Sequence, residues 1–126
     1  MKENYICKIP SPEEMNRKWD YEIEHNPDDR ENWIIWKKTN IGRFQKGDII
    51  PYYGILDGLI ICEATAMLNP EAVQNSAGLV GDGTVYLSAF RTVESYHGQG
   101  YFSVLMQFML DDLRRRGFTK ATLGVE

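Results

Sequence analysis

A glycine-containing turn, Ser95 to Ser103, is the stretch of this sequence whose residue types could do chemistry. It follows a strand-like run from Val85 to Phe90 and precedes a long amphipathic run that starts near Gly100. A strand that turns through glycines into a helix leaves unpaired backbone N–H groups at the positive end of the helix dipole. Glycines also let a phosphate approach that backbone closely. The pattern therefore predicts a site for a phosphate-bearing ligand that is held mainly by main-chain groups.

Two familiar nucleotide-binding motifs do not fit this turn. A Walker A loop needs Gly-Lys followed by Ser or Thr, and the sequence lacks it. A dinucleotide fingerprint needs a third glycine, whereas position 103 is Ser, and the turn comes late in the chain instead of in a first βαβ unit. Because an isolated Gly-x-Gly is more often a tight turn without a ligand, the surrounding elements decide its meaning.

Periodicity and capping signals predict the elements that must position the turn. Ser11, Pro12 and Glu14 have the spacing of a capping box that opens a helix. Asp57-Gly58 between two apolar runs predicts a tight hairpin. A polar stretch from 69 to 83 is predicted to be a connecting loop. The predicted order is strand 5–9, helix 12–24, a helix from 28 or 29 to about 44, hairpin strands 49–56 and 59–67, strand 84–92, helix 100–116 and strand 119–125.

These elements predict an α/β (α+β) fold with a mixed sheet. The hairpin must be antiparallel, and the final strand–helix–strand unit should form a right-handed parallel crossover. The order β-α-α-β-β-β-α-β therefore predicts a mixed sheet with helices on both faces.

Composition narrows the class of protein. The 126 residues carry a net charge of −4 and form one predicted domain, 1–126, without the basic footprint of a nucleic-acid-binding protein. No apolar run approaches the roughly 20 residues of a membrane span, and the N-terminus lacks the apolar core of a secretion signal. Cys7 and Cys62 fit no metal-ligand spacing, so we expect no metal and two reduced thiols in a cytoplasmic protein.

The stretch from Tyr96 to Phe102 lies between a predicted strand and a predicted helix. In that context it resembles the central motif of the GCN5-related N-acetyltransferases, the GNAT family. The order of the predicted elements resembles the first two-thirds of that fold. Because family members normally continue into a further helix and hairpin, the domain is expected to be C-terminally incomplete. Its last strand would then have an open edge, which could pair in a homodimer.

The resemblance implies acetyl-CoA as acyl donor. Backbone groups near Thr92 and Val93 would pair with the pantetheine arm, and the turn's amides would bind the pyrophosphate. His97 stands where the family usually has Arg or Gln. Phe102 stands where a small residue is usual, but its helical spacing predicts a ring that is turned into the core. The implied cofactor-binding residues are Thr92, Val93, His97, Gly98, Gln99, Gly100, Tyr101, Phe102 and Ser103.

The resemblance also implies transfer of an acetyl group from acetyl-CoA to an amine, either a small molecule or a peptide. A base must take a proton from that amine. One branch of the family carries a glutamate base at a position that is Tyr86 in this sequence, so that base cannot be transferred. Glu63 is the alternative base if it lines a cleft; otherwise it is a solvent-facing residue of its strand. The alternative function is a non-catalytic module for CoA binding or assembly.

Overall fold

The computed structural model describes residues 4–68 and 83–123. The elements are β1 (Tyr5–Lys8), α1 (Pro12–His25), α2 (Arg30–Lys46), β2 (Ile49–Leu56), β3 (Leu59–Met67), β4 (Thr84–Thr92), α3 (Tyr101–Arg115) and β5 (Lys120–Leu123). Their order confirms the prediction, and the loop predicted from 69 to 83 lies, except for its last residue, outside the described residues. Within the described ranges, no helix has the length and apolar character to cross a membrane.

Helix α1 begins at the predicted capping box. The Ser11 hydroxyl accepts a hydrogen bond from the Glu14 N–H at 3.2 Å, and the Glu14 carboxylate accepts one from the Ser11 N–H at 2.8 Å. Lys8 adds an ion pair to Glu14 at 2.9 Å. Although burial raises the pKa of Glu14, these bonds outweigh it and hold the pKa below its ordinary value. The charged carboxylate therefore stabilises the first turn of α1.

The sheet has five strands in the order β1-β2-β3-β4-β5. The first four pair antiparallel, and β4 pairs parallel with β5. At the β2–β3 hairpin, Asp57 and Gly58 have φ angles of 51° and 82°. Two successive positive φ angles are typical of a type I′ turn, whose twist matches that of the strands. The predicted mixed sheet and tight hairpin are thus confirmed.

Helices cover both faces of the sheet, as predicted. Alternation along β2 sends Tyr52 to the face under α3, where Leu105 and Met109 are fully buried. Tyr53 points to the opposite face and packs with Met15 of α1. The two helical layers therefore bury alternate residues of the same strands.

Two tyrosines from the sheet hold the two ends of α3. Tyr5 donates its hydroxyl hydrogen to the carbonyl of Tyr101 at 2.8 Å, and Tyr52 donates to Asp112 at 2.7 Å. Burial raises the pKa of both donors, Tyr5 and Tyr52, so they remain neutral and keep their hydrogens. The Tyr5 bond positions the N-terminus of α3, and with it the end of the glycine turn.

Candidate active site

A β-bulge interrupts the pairing of β3 with β4. Glu63 lies opposite Arg91, but Thr65 lies opposite Ser88, so β4 contributes one extra residue between the two pairs. Within that interval Ala89 has a φ of 56°, which is uncommon for a residue with a side chain. The bulge therefore re-aims the last residues of β4.

Beyond the bulge, the backbone of Thr92 faces away from β3. The Val93 N–H donates to the Ile61 carbonyl at 2.7 Å, so position 93 is hydrogen-bonded to β3. Since antiparallel pairs alternate, the Thr92 N–H and C=O point to the opposite side. Among the described residues, β5 pairs with β4 only as far as Leu87, so no strand lies beside Thr92 there. The Thr92 N–H can thus donate to a ligand.

The backbone N–H and C=O of Val93, in contrast, are already hydrogen-bonded. Its N–H is bonded to Ile61, and its carbonyl accepts from the Tyr96 N–H at 2.9 Å. A contact between Val93 and a ligand would therefore use the side chain, which is 36% exposed.

The glycine turn leaves donors open at the start of α3. Gly98 and Gly100 have φ angles of 74° and 86°. A Cβ added at Gly98 would meet no heavy atom within 4 Å, so the backbone conformation, and not packing, favours glycine. The first bond of α3 runs from the Val104 N–H to the Gly100 carbonyl at 3.3 Å, and no side chain caps the helix. The N–H groups of residues 101–103 therefore have no acceptor within the helix.

The side chains of the turn support its shape. His97 Nε2 donates to the Thr92 carbonyl at 2.7 Å, and Gln99 donates to the Ser95 carbonyl at 3.0 Å. Phe102 packs edge-on against Phe90 at 5.7 Å between ring centroids and lies against the core, as its spacing predicted. These contacts close the turn on itself and leave its backbone donors as the groups that could hold an anion.

A cavity of about 730 Å³ opens beside the end of β4. Residues of α1, of β3 and of the segment after β4 line it. The apolar part of the wall comes from Ile6, Tyr21, Ile55, Leu59, Ile60, Ile61 and Val93. Its volume suits a small molecule.

Two ion pairs lie in the wall of this cavity. Lys18 Nζ is 3.1 Å from Glu63 Oε1, and both side chains are largely buried, at 8% and 14% exposed. Glu22, which is buried, pairs with Arg91 and accepts a hydrogen bond from Asn26 at 3.2 Å. Glu63 therefore lines a cleft, which is the arrangement on which its predicted role depends.

Three of these charged residues were not predicted from the sequence. Glu14, Lys18 and Glu22 follow one another at intervals of four residues, and each directly precedes a buried apolar residue of α1. This spacing indicates that the three charged residues lie on one face of the helix, close to the core. Nothing local marks Arg91, because its partner is 69 positions away.

Residues 5–126 match the Acetyltransferase (GNAT) family. The chain belongs to this family. A comparison with curated proteins gives no match. Among the described residues, no group of three or more His, Cys, Asp or Glu could hold a metal ion.

Solved GNAT structures share the fold at low sequence identity. A GCN5-related N-acetyltransferase from Ralstonia eutropha is 12% identical, with a TM-score of 0.68 over 96% of this chain and 83% of that one. A predicted acetyltransferase from Clostridium acetobutylicum, solved with acetyl-CoA, is 11% identical, with a TM-score of 0.66 over 97% and 81%. An aminoglycoside acetyltransferase from an uncultured soil metagenomic sample, solved with sisomicin, is 9% identical, with a TM-score of 0.66 over 98% and 78%.

Proposed function

We propose that this GNAT domain transfers an acetyl group from acetyl-CoA to an amine acceptor. The observation that carries the proposal is the end of β4, where the open N–H of Thr92 lies in the wall of a cavity that also contains the Glu63 carboxylate. The start of α3 supplies further open donors along the chain from Thr92. Family membership supports acyl transfer as the reaction class.

The glycine turn is the proposed site for the donor's pyrophosphate. The amides of residues 98–103 would bind its oxygens at the positive end of α3, and His97 supports the turn through its bond to the Thr92 carbonyl. The Thr92 N–H would polarise the thioester carbonyl, where negative charge develops. Acetyl-CoA would supply an acetyl carbon that is activated for attack.

Glu63 is the proposed base. Lys18 holds its Oε1, while its Oε2 has no hydrogen-bond partner among residues 4–68 and 83–123. Oε2 can therefore take a proton from the acceptor's ammonium group, directly or through water. The neutral nitrogen then bonds to the acetyl carbon and the C–S bond breaks. The second proton lost by the nitrogen ends on the leaving thiolate, and the proton on Glu63 is released to solvent.

Isothermal titration with acetyl-CoA tests the donor site. We expect micromolar binding that Gly100→Val abolishes, because valine disfavours the φ of 86° at this helix start. Gly42→Ala is the matched control, since Gly42 lies within α2 and a Cβ there meets no atom within 4 Å. Circular dichroism would verify that both variants are folded, and Gly98→Ala offers a milder change in the same turn. Absence of binding to the unaltered chain would refute the proposal.

Activity distinguishes the enzyme from the alternative, a CoA-binding or assembly module without catalysis. The Lys18–Glu63 ion pair favours the alternative, because it engages the candidate base. Release of free thiol from acetyl-CoA should depend on an added amine and should fall about 100-fold or more in Glu63→Gln. Binding of acetyl-CoA without thiol release for any amine would favour the module.

Two further proposals concern assembly and location. Among the described strands, β5 has a neighbour on one side only, so pairing of two β5 strands would make a homodimer. Sedimentation of the chain as a monomer would contradict this proposal. The free thiols Cys7 and Cys62 fit a cytoplasmic location, which cell fractionation would test.

A further inference from the structure

The cavity beside β4 has charged groups of both signs in its wall. Three cations and four carboxylates line it: Arg17, Lys18, Arg91, Glu14, Glu22, Glu63 and Glu94. The near balance matters because a cavity built for a cationic ligand would carry a clear excess of negative charge.

Most of these charges are already neutralised by neighbours. Glu14 is bound by Lys8 and by the N-terminus of α1, and the two ion pairs in the wall engage four more. Arg17 and Glu94 form no ion pair and no side-chain hydrogen bond with any other described residue. Apart from the open Oε2 of Glu63, the proposed base, one cation and one anion are therefore left to recognise a ligand.

The two open charges lie in different parts of the wall. Glu94 follows Thr92 by two residues, so it lies close to the proposed position of the acetyl group. Arg17 is on α1, next to Lys18 and one turn before Tyr21. An acceptor ammonium drawn to Glu94 would thus be near the acetyl carbon, while an anionic group of the same molecule could pair with Arg17.

We propose that the acceptor is a zwitterion, an amine that also carries a carboxylate, with an apolar side chain against the apolar wall. This inference rests on the proposed acetyl transfer and names the substrate class. It differs from what sisomicin, the ligand of the metagenomic aminoglycoside acetyltransferase, would suggest. A polycation would find Glu94 as the unpaired carboxylate of this wall and would be repelled by the unpaired Arg17, because the other charges are engaged by neighbours.

Matched amines test the proposal. Leucine, leucinamide and isoamylamine share one side chain, and equivalent sets exist for phenylalanine and methionine. We expect kcat/KM for at least one amino acid to exceed that of its carboxamide and its decarboxylated amine about tenfold or more. Amine basicity cannot produce the preference over the carboxamide, because the carboxamide has the larger fraction of neutral amine. The decarboxylated amine is more basic than the amino acid, so its kcat/KM is compared after correction for the fraction of neutral amine. Isothermal titration of the same compounds into the protein saturated with CoA gives a second readout that needs no turnover.

Arg17→Gln tests whether the positive charge of Arg17 recognises the acceptor's carboxylate. The ratio of kcat/KM for the amino acid to that for its carboxamide should fall toward one, and Arg17→Lys should restore part of it. Arg114→Gln is the matched control, because Arg114 is an exposed arginine of α3 outside this cavity. The same loss in the control would overturn the proposal.

Equal or better use of the carboxamides, or of sisomicin, would also overturn the zwitterion proposal while leaving acetyl transfer in place. Acetyl-CoA binding without consumption of any amine would overturn both. The two failures are therefore distinguishable.

Discussion

Gly54→Ala is the substitution whose effect the structure defines most sharply. Gly54 lies in β2 between Cys7 of β1 and Cys62 of β3, and its φ is not positive. The backbone therefore accepts alanine. A Cβ built there, however, overlaps the Tyr5 hydroxyl and lies 2.6 Å from Cys62 Sγ. Real Cβ atoms do not approach other atoms so closely, so the surrounding side chains must move.

The expected cost has two parts. Overpacking a filled core costs about 1–3 kcal/mol. Displacing the Tyr5 ring also breaks its hydrogen bond to the Tyr101 carbonyl, which adds about 1 kcal/mol. The free energy of unfolding should therefore fall by about 2–4 kcal/mol. Since Tyr101 is the first residue of α3, acetyl-CoA affinity should fall as well.

Urea unfolding measures the effect against an internal control. Gly42→Ala makes the same chemical change within α2, where nothing lies within 4 Å, and should stabilise by about 0.5–1 kcal/mol. A background with Tyr5→Phe and Cys62→Ala lacks the two atoms nearest to the new Cβ, the Tyr5 hydroxyl oxygen and Cys62 Sγ, and keeps only the ring carbon Cζ of residue 5 at 2.9 Å. The cost of Gly54→Ala should then fall below about 1 kcal/mol. An equal cost in both backgrounds would refute the steric argument.

Three further substitutions test other contacts by urea unfolding. Asp112→Asn should cost about 1–2 kcal/mol at pH 7. Burial raises the pKa of Asp112, but its hydrogen bonds, above all the one from Tyr52, outweigh burial and hold the pKa below its ordinary value. The difference in the free energy of unfolding between the unaltered chain and Asp112→Asn should therefore persist above about pH 4 and shrink as acid protonates the native carboxylate. Ser11→Ala should cost about 1 kcal/mol through the lost helix cap, with Ser95→Ala near zero. Glu22→Gln should lower the free energy of unfolding by about 1–3 kcal/mol, and by less in a chain whose Arg91 is also neutralised. If the costs of the two substitutions simply add, the two side chains do not form an ion pair.

Local signals account for the features that the sequence predicted well. The capping box at Ser11, the Asp57-Gly58 turn and the strand from Thr84 to Thr92 each depend on residues that are close in the chain. Their conformations follow from short-range hydrogen bonds and backbone preferences. Local backbone preferences also predicted a helix that starts near Gly100 with unpaired N–H groups. The anion site that these groups would form is still a proposal.

The cavity could not be predicted in this way, because its wall joins distant segments. Lys18 meets Glu63 and Glu22 meets Arg91 only after α1 has packed on the sheet. A sequence gives the charges and their spacing along α1, but the pairing depends on which strand residues face that helix. For Arg91, the face is decided by the bulge at Ala89, which no glycine or proline marks.

The bulge explains how one short strand serves both the core and the cavity. Val85 and Leu87 face α3, so regular alternation would send Arg91 to the same face. The extra residue reverses the order: Phe90 instead packs against Phe102 of α3, and Arg91 reaches Glu22 of α1. The same reversal fixes which amides at the end of β4 bond to β3 and which point away from it. The facing of the last residues of β4, toward the core or toward the cavity, is therefore set by this bulge, which accounts for a non-glycine residue with a positive φ at this position.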